Sequence, residues 1–254
     1  MRVQPETCVV GVLLPSGDLA DPSVLIREAM ALYSDGADIV DIDTLPSGPF
    51  AAIEDDTLAL LVRGLRESGV PVSVTTTRAS IARIAVDRGA HWIIDPSGTT
   101  ADPEMIRVAR RPSFIGWAIG PWSRPHRPEP AIETGADAYT YGLVRNLAAL
   151  LEAGVHSDRI VLNASAGLSA TSADPWLMLG HLDRIRALGY PVLIDAHDEL
   201  LASMSADDSP TRLEDAAVGL AVLGAGARVW GVRTRAVTRV ADAVGRILEP
   251  RRTA

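Results

Sequence analysis

The chain has 254 residues, a formal net charge of −8 and a hydrophobic fraction of 47%. This length fits one large α/β domain. The acidic balance does not favour nucleic acid as a partner, since phosphate backbones attract clustered cations. All 24 basic residues are arginine, because the sequence contains no lysine. Schiff-base chemistry on lysine and a Walker-type phosphate loop are therefore excluded.

Two local features bear on the cellular setting of the protein. No apolar run reaches the roughly 18 residues of a membrane span. Residues 1–4 also lack the apolar core of a signal peptide. We therefore expect a cytoplasmic protein with no membrane partner. The single cysteine, Cys8, excludes an intramolecular disulfide, and its apolar neighbours favour a buried structural thiol over a nucleophile.

Short β-branched runs alternate with stretches of helical period along the chain. Continuous apolar strands separated by helices indicate a parallel sheet that is buried on both faces. Eight such units in about 250 residues predict an α/β fold, a closed (β/α)8 TIM barrel, formed by a single domain over residues 1–254. The predicted strands are 8–14, 38–43, 71–75, 91–95, 113–119, 159–163, 191–195 and 228–233, and the predicted helices lie near 22–35, 55–68, 78–88, 102–109, 136–154, 173–188, 211–225 and 235–248.

The ends of the predicted helices carry their own signals. Asp21 is a suitable N-cap for the first helix, with Pro22 at the first helical position. Six helices are followed by a glycine at the place where a left-handed residue ends a helix. These glycines are Gly36, Gly69, Gly89, Gly154, Gly189 and Gly226.

Six stretches occur in this order along the chain: DGADIVDID, VPVSVTTTRASIARIAVDRGAHWIIDPSG, ADPEMIRVA, GVHSDRIVLNASAGLS, LGHLDRIRALGYPVL and TRLEDAAVGLAVLGAGARVWGV. They resemble the dihydropteroate synthases, which are pterin-binding barrels that join a pterin pyrophosphate to para-aminobenzoate. The resemblance covers nearly the whole chain. It implies a transferase of folate biosynthesis, a pterin-like ligand and a homodimer built through the outer helices.

The chain departs from the pattern of that family at the ends of the first two strands. The family's first loop, Asn–Val–Thr–Pro–Asp–Ser–Phe, uses its asparagine to help hold Mg²⁺ and pyrophosphate. The matching stretch here is LLPSGDL, with Leu14 in the asparagine place, and only Ser16 and Asp18 keep comparable polarity. The second loop, Gly–Gly–Glu–Ser–Thr–Arg–Pro, is matched by DTLPSGP, so Ser47 stands for the threonine and Gly48 for the arginine.

The half of the family site that binds the pterin is also altered. The resemblance places Thr75 where a carboxylate faces the pterin, Ile94 where an asparagine precedes Asp95, and Asn163 where an aspartate grips the pterin edge. A carboxylate accepts adjacent N–H donors through charge-assisted hydrogen bonds of about 1.5–3 kcal/mol each. Because Asn163 offers only one carbonyl oxygen, we expect the affinity for a pterin to fall by several orders of magnitude.

The half that binds pyrophosphate changes sign. The Ser–Arg–Lys of the family's seventh strand is matched by His197, Asp198 and Glu199, and the first arginine of its eighth strand by Gly231. Carboxylates beside an anionic leaving group repel it. Arg233, in the place of a family histidine, is the one cation left at that strand end. The sequence therefore predicts no useful synthesis of dihydropteroate.

Several polar residues remain at the ends of the predicted strands, where catalysis takes place in this fold. Asp195 and His197 point the same way in an extended strand and, with Arg233, are the candidate catalytic residues. The candidate ligand-binding residues are Ser16, Asp18, Asp43, Ser47, Thr75, Thr76, Asp95, Asn163, Glu199 and Arg235.

Each of these residues also has a structural interpretation. Asp195 could cap a loop with His197 solvated, or both could bind a divalent ion together with Asp43 and Asn163. Arg233 could clamp an anionic ligand or form an ion pair with Asp195, Asp198 or Glu199. No cofactor is expected, although Mg²⁺ is left open.

Three hypotheses for function follow. The first is an inactive or ligand-binding homologue of the synthases that holds a small molecule, either pterin-like or another cyclic compound. The second is an enzyme of specialised metabolism with rebuilt chemistry at the barrel mouth, which uses Asp195, His197 and Arg233. The third is a partner subunit of a true synthase.

Overall fold

The computed structural model describes residues 7–15, 21–45, 53–111, 116–120, 136–164, 182–196, 201 and 209–248. Eight parallel strands pair in chain order, and the eighth pairs with the first to close a barrel. Helices alternate with the strands, so the predicted (β/α)8 TIM barrel is confirmed. The strands are β1 (Cys8–Leu13), β2 (Ile39–Asp43), β3 (Val72–Thr75), β4 (Trp92–Asp95), β5 (Gly116–Ile119), β6 (Ile160–Asn163), β7 (Val192–Ala196) and β8 (Gly231–Thr234). The helices are α1 (Pro22–Ser34), α2 (Asp55–Glu67), α3 (Ala79–Asp87), α4 (Met105–Ala109), α5 (Ala136–Glu152), α6 (residues 182–186), α7 (Pro210–Gly226) and α8 (Val237–Leu248), with a 3-10 turn at Ser157–Arg159.

Side chains alternate between the two faces of each strand and so build two apolar layers. The outer layer packs the strands against the helices and includes Leu58, Leu61 and Leu65 of α2. Trp117 of β5 is fully buried in this outer layer. The inner layer lies in the lumen and consists of Val10, Ile39, Trp92, Ile94, Ala118, Val161 and Leu193.

A tryptophan pair closes the amino-terminal end of the lumen. The ring centroids of Trp92 and Trp230 lie 4.7 Å apart at an interplanar angle of 46°. Gly116 faces this pair, and a Cβ atom there would meet the Trp92 ring at 1.9 Å. Cys8 packs against the same inner layer, and burial raises the pKa of its thiol, which suits a structural role. The amino-terminal end of the lumen is thus apolar, and the polar lumen side chains lie at the carboxyl ends of the strands.

The start of the first helix follows the prediction. The Oδ1 atom of Asp21 accepts a hydrogen bond from the backbone N–H of Ser23 at 2.8 Å, and Pro22 takes the first helical position. Five of the six glycines predicted to end helices have left-handed backbone angles. None of the described helices is both long and apolar enough to cross a membrane.

The prediction for Gly226 is wrong. Helix α7 continues through Gly226, and Arg228 takes the left-handed conformation with φ at 56°. The backbone N–H groups of Arg228 and Val229 then close the turn onto carbonyl oxygens of the last helical turn. Because the chain reverses at Arg228, β8 begins at Gly231 and not at residue 228 as predicted.

Candidate functional site

The polar end of the lumen is built from two pairs of neighbouring strands, β2 with β3 and β7 with β8, on either side of β1. In the β2–β3 register Asp41 lies beside Ser73 and Asp43 beside Thr75. Across the barrel, Asp195 of β7 lies beside Arg233 of β8. Because side chains two apart share one face of a strand, Asp41 and Asp43 project into the same lumen. The carboxyl ends of β2, β3, β7 and β8 thus share one polar core.

Arg233 lies at the centre of this polar core and is almost completely buried. Its Nε atom donates to the Oδ2 atom of Asp41 at 2.9 Å. One terminal nitrogen donates to both carboxylate oxygens of Asp195, at 3.0 and 3.1 Å. The other terminal nitrogen donates to the Oδ2 atom of Asp43 at 2.7 Å and lies 2.8 Å from Asp41. We call Arg233, Asp41, Asp43 and Asp195 the Arg233 cluster.

Asp41 anchors the cluster from below. It has no exposed surface, and it accepts hydrogen bonds from the hydroxyls of Ser73 at 2.6 Å and Thr75 at 2.7 Å. Neither Asp41 nor Ser73 is among the residues predicted for the site. The signal was present in the sequence, because both share the inward alternation of their predicted neighbours Asp43 and Thr75.

Burial and charge act against each other in the cluster. Burial raises the pKa of Asp41, and Arg233 opposes that rise. Burial by itself favours a lower pKa for Arg233, but the carboxylates of Asp195, Asp41 and Asp43 together hold it well above its usual value. Arg233 therefore stays charged, and three carboxylates around one guanidinium give the site a net negative charge.

Asp95 lies on the other face of its strand from the lumen residue Ile94. It is fully buried and caps its own loop, accepting hydrogen bonds from the N–H and hydroxyl of Ser97 and from the N–H of Thr99. Thr99 has a left-handed backbone, with φ at 73°. Burial raises the pKa of Asp95 to about 6, against the opposing effect of these hydrogen bonds. The side-chain hydrogen bonds of Asp95 are thus within the β4–α4 loop.

The other described candidates have different surroundings. The hydroxyl oxygen of Thr76 accepts the backbone N–H of Arg78 at 3.1 Å, at the start of α3. Asn163 is fully buried at the end of β6. Arg235 is exposed just beyond β8. Five predicted residues lie outside the described part of the chain, namely Ser16, Asp18, Ser47, His197 and Glu199.

A cavity of about 290 Å³ lies beside the cluster but on the other side of the strands. Leu213 and Ala217 of α7 line it together with Ala196, Thr234 and Arg235. Ala196 and Thr234 follow the two lumen residues of β7 and β8, so they face outward towards α7. The cavity is therefore separated from the Arg233 cluster by the strand backbones.

The described residues do not fit a Mg²⁺ ion. The carboxylates of Asp43 and Asp195 accept N–H groups of Arg233, so a cation already occupies the space between them. Leu14, which the sequence resemblance sets in the place of the family's asparagine, offers no side-chain oxygen. Within the described ranges, no group of three or more histidine, cysteine or acidic side chains is arranged to hold a metal ion.

A family model described as "Pterin binding enzyme" matches residues 15–234. The chain therefore belongs to the pterin-binding enzyme family. Its fold is shared with solved dihydropteroate synthases. One from Xanthomonas albilineans, in complex with indole-2-carboxylic acid and 6-chloroguanine, has a TM-score of 0.82 at 20% identity and covers 100% of this chain and 96% of its own. Another from Burkholderia cenocepacia, complexed with 7,8-dihydropteroate, has a TM-score of 0.79 at 23% identity and covers 95% and 90%.

The relatives in sequence include proteins with two different names. The dihydropteroate synthase of Mycobacterium leprae is 28% identical over 90% of this chain and 85% of its own length. A second protein of that strain, named inactive dihydropteroate synthase 2, is 29% identical over 81% and 76%. Because the two sequence identities are nearly equal, they do not indicate which of the two relatives this chain resembles in activity. That question depends on the residues of the site.

Proposed function

We propose that this chain is a small-molecule-binding member of the pterin-binding enzyme family that does not make dihydropteroate efficiently. Its ligand is a pterin-like or other cyclic compound. The observation that carries the proposal is the engagement of Arg233, whose N–H groups point at Asp41, Asp43 and Asp195. The cation at the end of β8 is thus directed at carboxylates within the protein.

The charge of the cluster opposes a pyrophosphate leaving group. Two unit charges 4 Å apart interact by about 4 kcal/mol at the effective dielectric constant of a protein surface. Asp43 and Asp195 lie at the carboxyl ends of their strands, where the family resemblance places the leaving group. Each carboxylate that faces an anion there weakens its binding by repulsion of this order.

Within the described part of the chain, the part of the site where the resemblance places the pterin also has few side chains free to accept hydrogen bonds from pterin N–H groups. The hydroxyl of Thr75 donates to Asp41. Ile94 adds an apolar surface to the lumen. Replacing a carboxylate acceptor in this way leaves N–H donors of a buried pterin without partners, at about 1–3 kcal/mol for each group. A ligand of this barrel therefore differs from the family substrate in its pattern of donors.

The test is a steady-state assay with the pterin pyrophosphate and para-aminobenzoate. The dihydropteroate synthase of Mycobacterium leprae, assayed beside it, is the positive control. We expect the rate to be lower than that of the control by about 10³-fold or more, because several groups that stabilise charge in the transition state are replaced. Ordinary turnover by this chain contradicts the proposal.

One observation favours an enzyme with rebuilt chemistry as the second candidate. A buried ion-pair cluster is often no more stable than well-packed apolar residues of the same volume. Stability alone therefore does not account for Asp195 and Arg233 in the lumen, and a role in a reaction would. Under this candidate His197→Ala abolishes turnover of the enzyme's own substrate, whereas a binding protein shows ligand-dependent thermal stabilisation without turnover.

Assembly and location belong to the same proposal. We propose a homodimer, which the resemblance to the dihydropteroate synthases implies, in the cytoplasm. The Mycobacterium leprae pair of relatives, one named inactive, also favours the alternative of a partner subunit of a true synthase. Co-purification of this chain with a complete synthase from the same cells supports the subunit, and a self-associated particle of twice the chain mass supports the homodimer.

A further inference from the structure

We infer that Asp43 is the residue that determines the ligand charge accepted by the barrel mouth, because it occupies one terminal N–H group of Arg233 that an oxyanion would otherwise bind. The inference rests on the proposed function and names the selectivity of the same site. It follows from the different positions of the three carboxylates around one guanidinium.

The carboxylates differ in how far they reach towards the mouth. The side chain of Asp41 is 0% exposed, that of Asp195 is 9% exposed and that of Asp43 is 15% exposed. Asp41 lies beneath the guanidinium, where Ser73 and Thr75 fix it. Asp43, the most exposed of the three, therefore lies between Arg233 and an incoming ligand.

Asp43 is also held in place independently of Arg233. Its Oδ1 atom accepts the backbone N–H of Leu45 at 2.9 Å, while its Oδ2 atom accepts Arg233 at 2.7 Å. The turn after β2 thus fixes the carboxylate even when a ligand competes for the guanidinium. An anion has to displace a carboxylate that its own backbone keeps in position.

Arg233 does not depend on Asp43 alone for its burial. When Asp43 is changed, Asp195 still holds one terminal nitrogen. Asp41 still holds the Nε atom and remains 2.8 Å from the other terminal nitrogen, which has a second N–H group. Removing the Asp43 carboxylate therefore leaves a supported guanidinium with an available terminal N–H and a less negative surrounding. That arrangement suits a phosphate oxygen, which arginine binds through charged hydrogen bonds.

The experiment titrates inorganic pyrophosphate by calorimetry into the wild type, Asp43→Asn and Asp43→Ala. Asn removes the charge but keeps an acceptor for Arg233, whereas Ala removes both. The matched control is Asp215→Asn, which makes the same change in an exposed Asp–Arg pair between α7 and α8. Melting temperatures check that each variant is folded.

We expect no saturable binding by the wild type or by Asp215→Asn. Asp43→Asn should bind pyrophosphate at least about tenfold more tightly than the wild type, and Asp43→Ala at least as tightly as Asp43→Asn. Nitrogen-15 NMR of the arginine Nε–H groups should show the Arg233 signal move during titration only in the Asp43 variants.

Two results overturn the inference. One is pyrophosphate binding by the wild type as tight as by the variants, and the other is no gain in either folded Asp43 variant. The proposed function fails separately, since ordinary dihydropteroate turnover by the wild type contradicts it whatever the variants bind. If the wild type makes no dihydropteroate and neither Asp43 variant binds pyrophosphate more tightly, only the inference about Asp43 is contradicted.

Discussion

The two ends of the lumen are held together by different kinds of interaction. The amino-terminal end is closed by Trp92 and Trp230, whose contacts are apolar and depend on shape. The carboxyl-terminal end is filled by the Arg233 cluster, whose contacts depend on charge and direction. An apolar layer tolerates exchange at constant volume, whereas a buried ion pair fails when one partner is lost. The barrel thus has packing that depends on shape and volume at its floor and a fixed electrostatic pattern at its mouth.

The largest expected effect comes from Arg233→Met. The change leaves three carboxylates in the lumen without their shared cation, which costs about 3–5 kcal/mol of unfolding free energy. Urea denaturation at neutral pH measures the loss. Because protons neutralise the stranded carboxylates, the difference from the wild type should shrink as the pH is lowered. A loss of less than about 1 kcal/mol contradicts the charge-dependent view of the mouth.

The substitution Asp95→Asn tests how a buried carboxylate outside the lumen affects the pH dependence of stability. Its pKa of about 6 lies above the value of roughly 3.9 for an unfolded chain, so the folded protein binds more protons between these values. The stability that comes from this group is present below the unfolded pKa and is lost as the pH rises towards 6. Asp95→Asn should remove a fall of up to about 3 kcal/mol across that window.

The measurement for Asp95 is the unfolding free energy of both proteins from about pH 4 to pH 7. The stability of the wild type should decline relative to the variant as the pH rises. Parallel curves mean that the hydrogen bonds from Ser97 and Thr99 keep the carboxylate ionised throughout.

Gly116→Ala tests the shape-dependent floor. A methyl group there overlaps the ring of Trp92, and overpacking of this kind costs about 1–3 kcal/mol. The control is Gly245→Ala in α8, where nothing beyond the adjacent residues and the backbone of the helix itself lies within 4 Å of the added carbon. That variant should be neutral or slightly more stable, because alanine favours a helix over glycine. Equal melting temperatures for the two variants contradict tight packing at the floor.

The smallest effect is expected from Arg239→Met, the surface counterpart of Arg233→Met. Arg239 pairs with Glu214 at 3.2 Å and Asp215 at 2.6 Å, and its side chain is 44% exposed. Exposed ion pairs contribute about 0–1 kcal/mol because water screens them. Urea denaturation under the conditions used for Arg233→Met should show a smaller loss of unfolding free energy for Arg239→Met than for Arg233→Met. Similar losses for both variants mean that burial does not distinguish the two arginines.

Much of the fold was predictable from local chemistry. The eight strands lie within about two or three residues of their predicted bounds where both ends are described, because each is an apolar run between turn residues. The error at Gly226 arose because a glycine signals a helix end without fixing the residue at which it falls. Composition also excluded lysine chemistry from the outset.

The site was only partly predictable. The sequence singled out Asp43, Asp195 and Arg233 as strand-end residues but offered Asp198 and Glu199 as equal partners for the arginine. It missed Asp41, which forms the base of the cluster. Asp41 and Asp43 are two residues apart in the stretch DIVDID, so both face the lumen. Their alternation, together with that of Ser73 and Thr75 on the next strand, was enough to identify Asp41.

By itself the sequence determined the strand–helix rhythm and the all-arginine basicity, because these depend on residue type and short-range spacing. Its resemblance to the family predicts the loss of anion-binding residues. Only the tertiary structure decided the partners of Arg233. Asp41 and Asp43 are 192 and 190 residues away along the chain, and closure of the barrel between β8 and β1 brings β2 near β8. Charge pairing over such a separation depends on the strand register of a closed sheet, which no local pattern encodes.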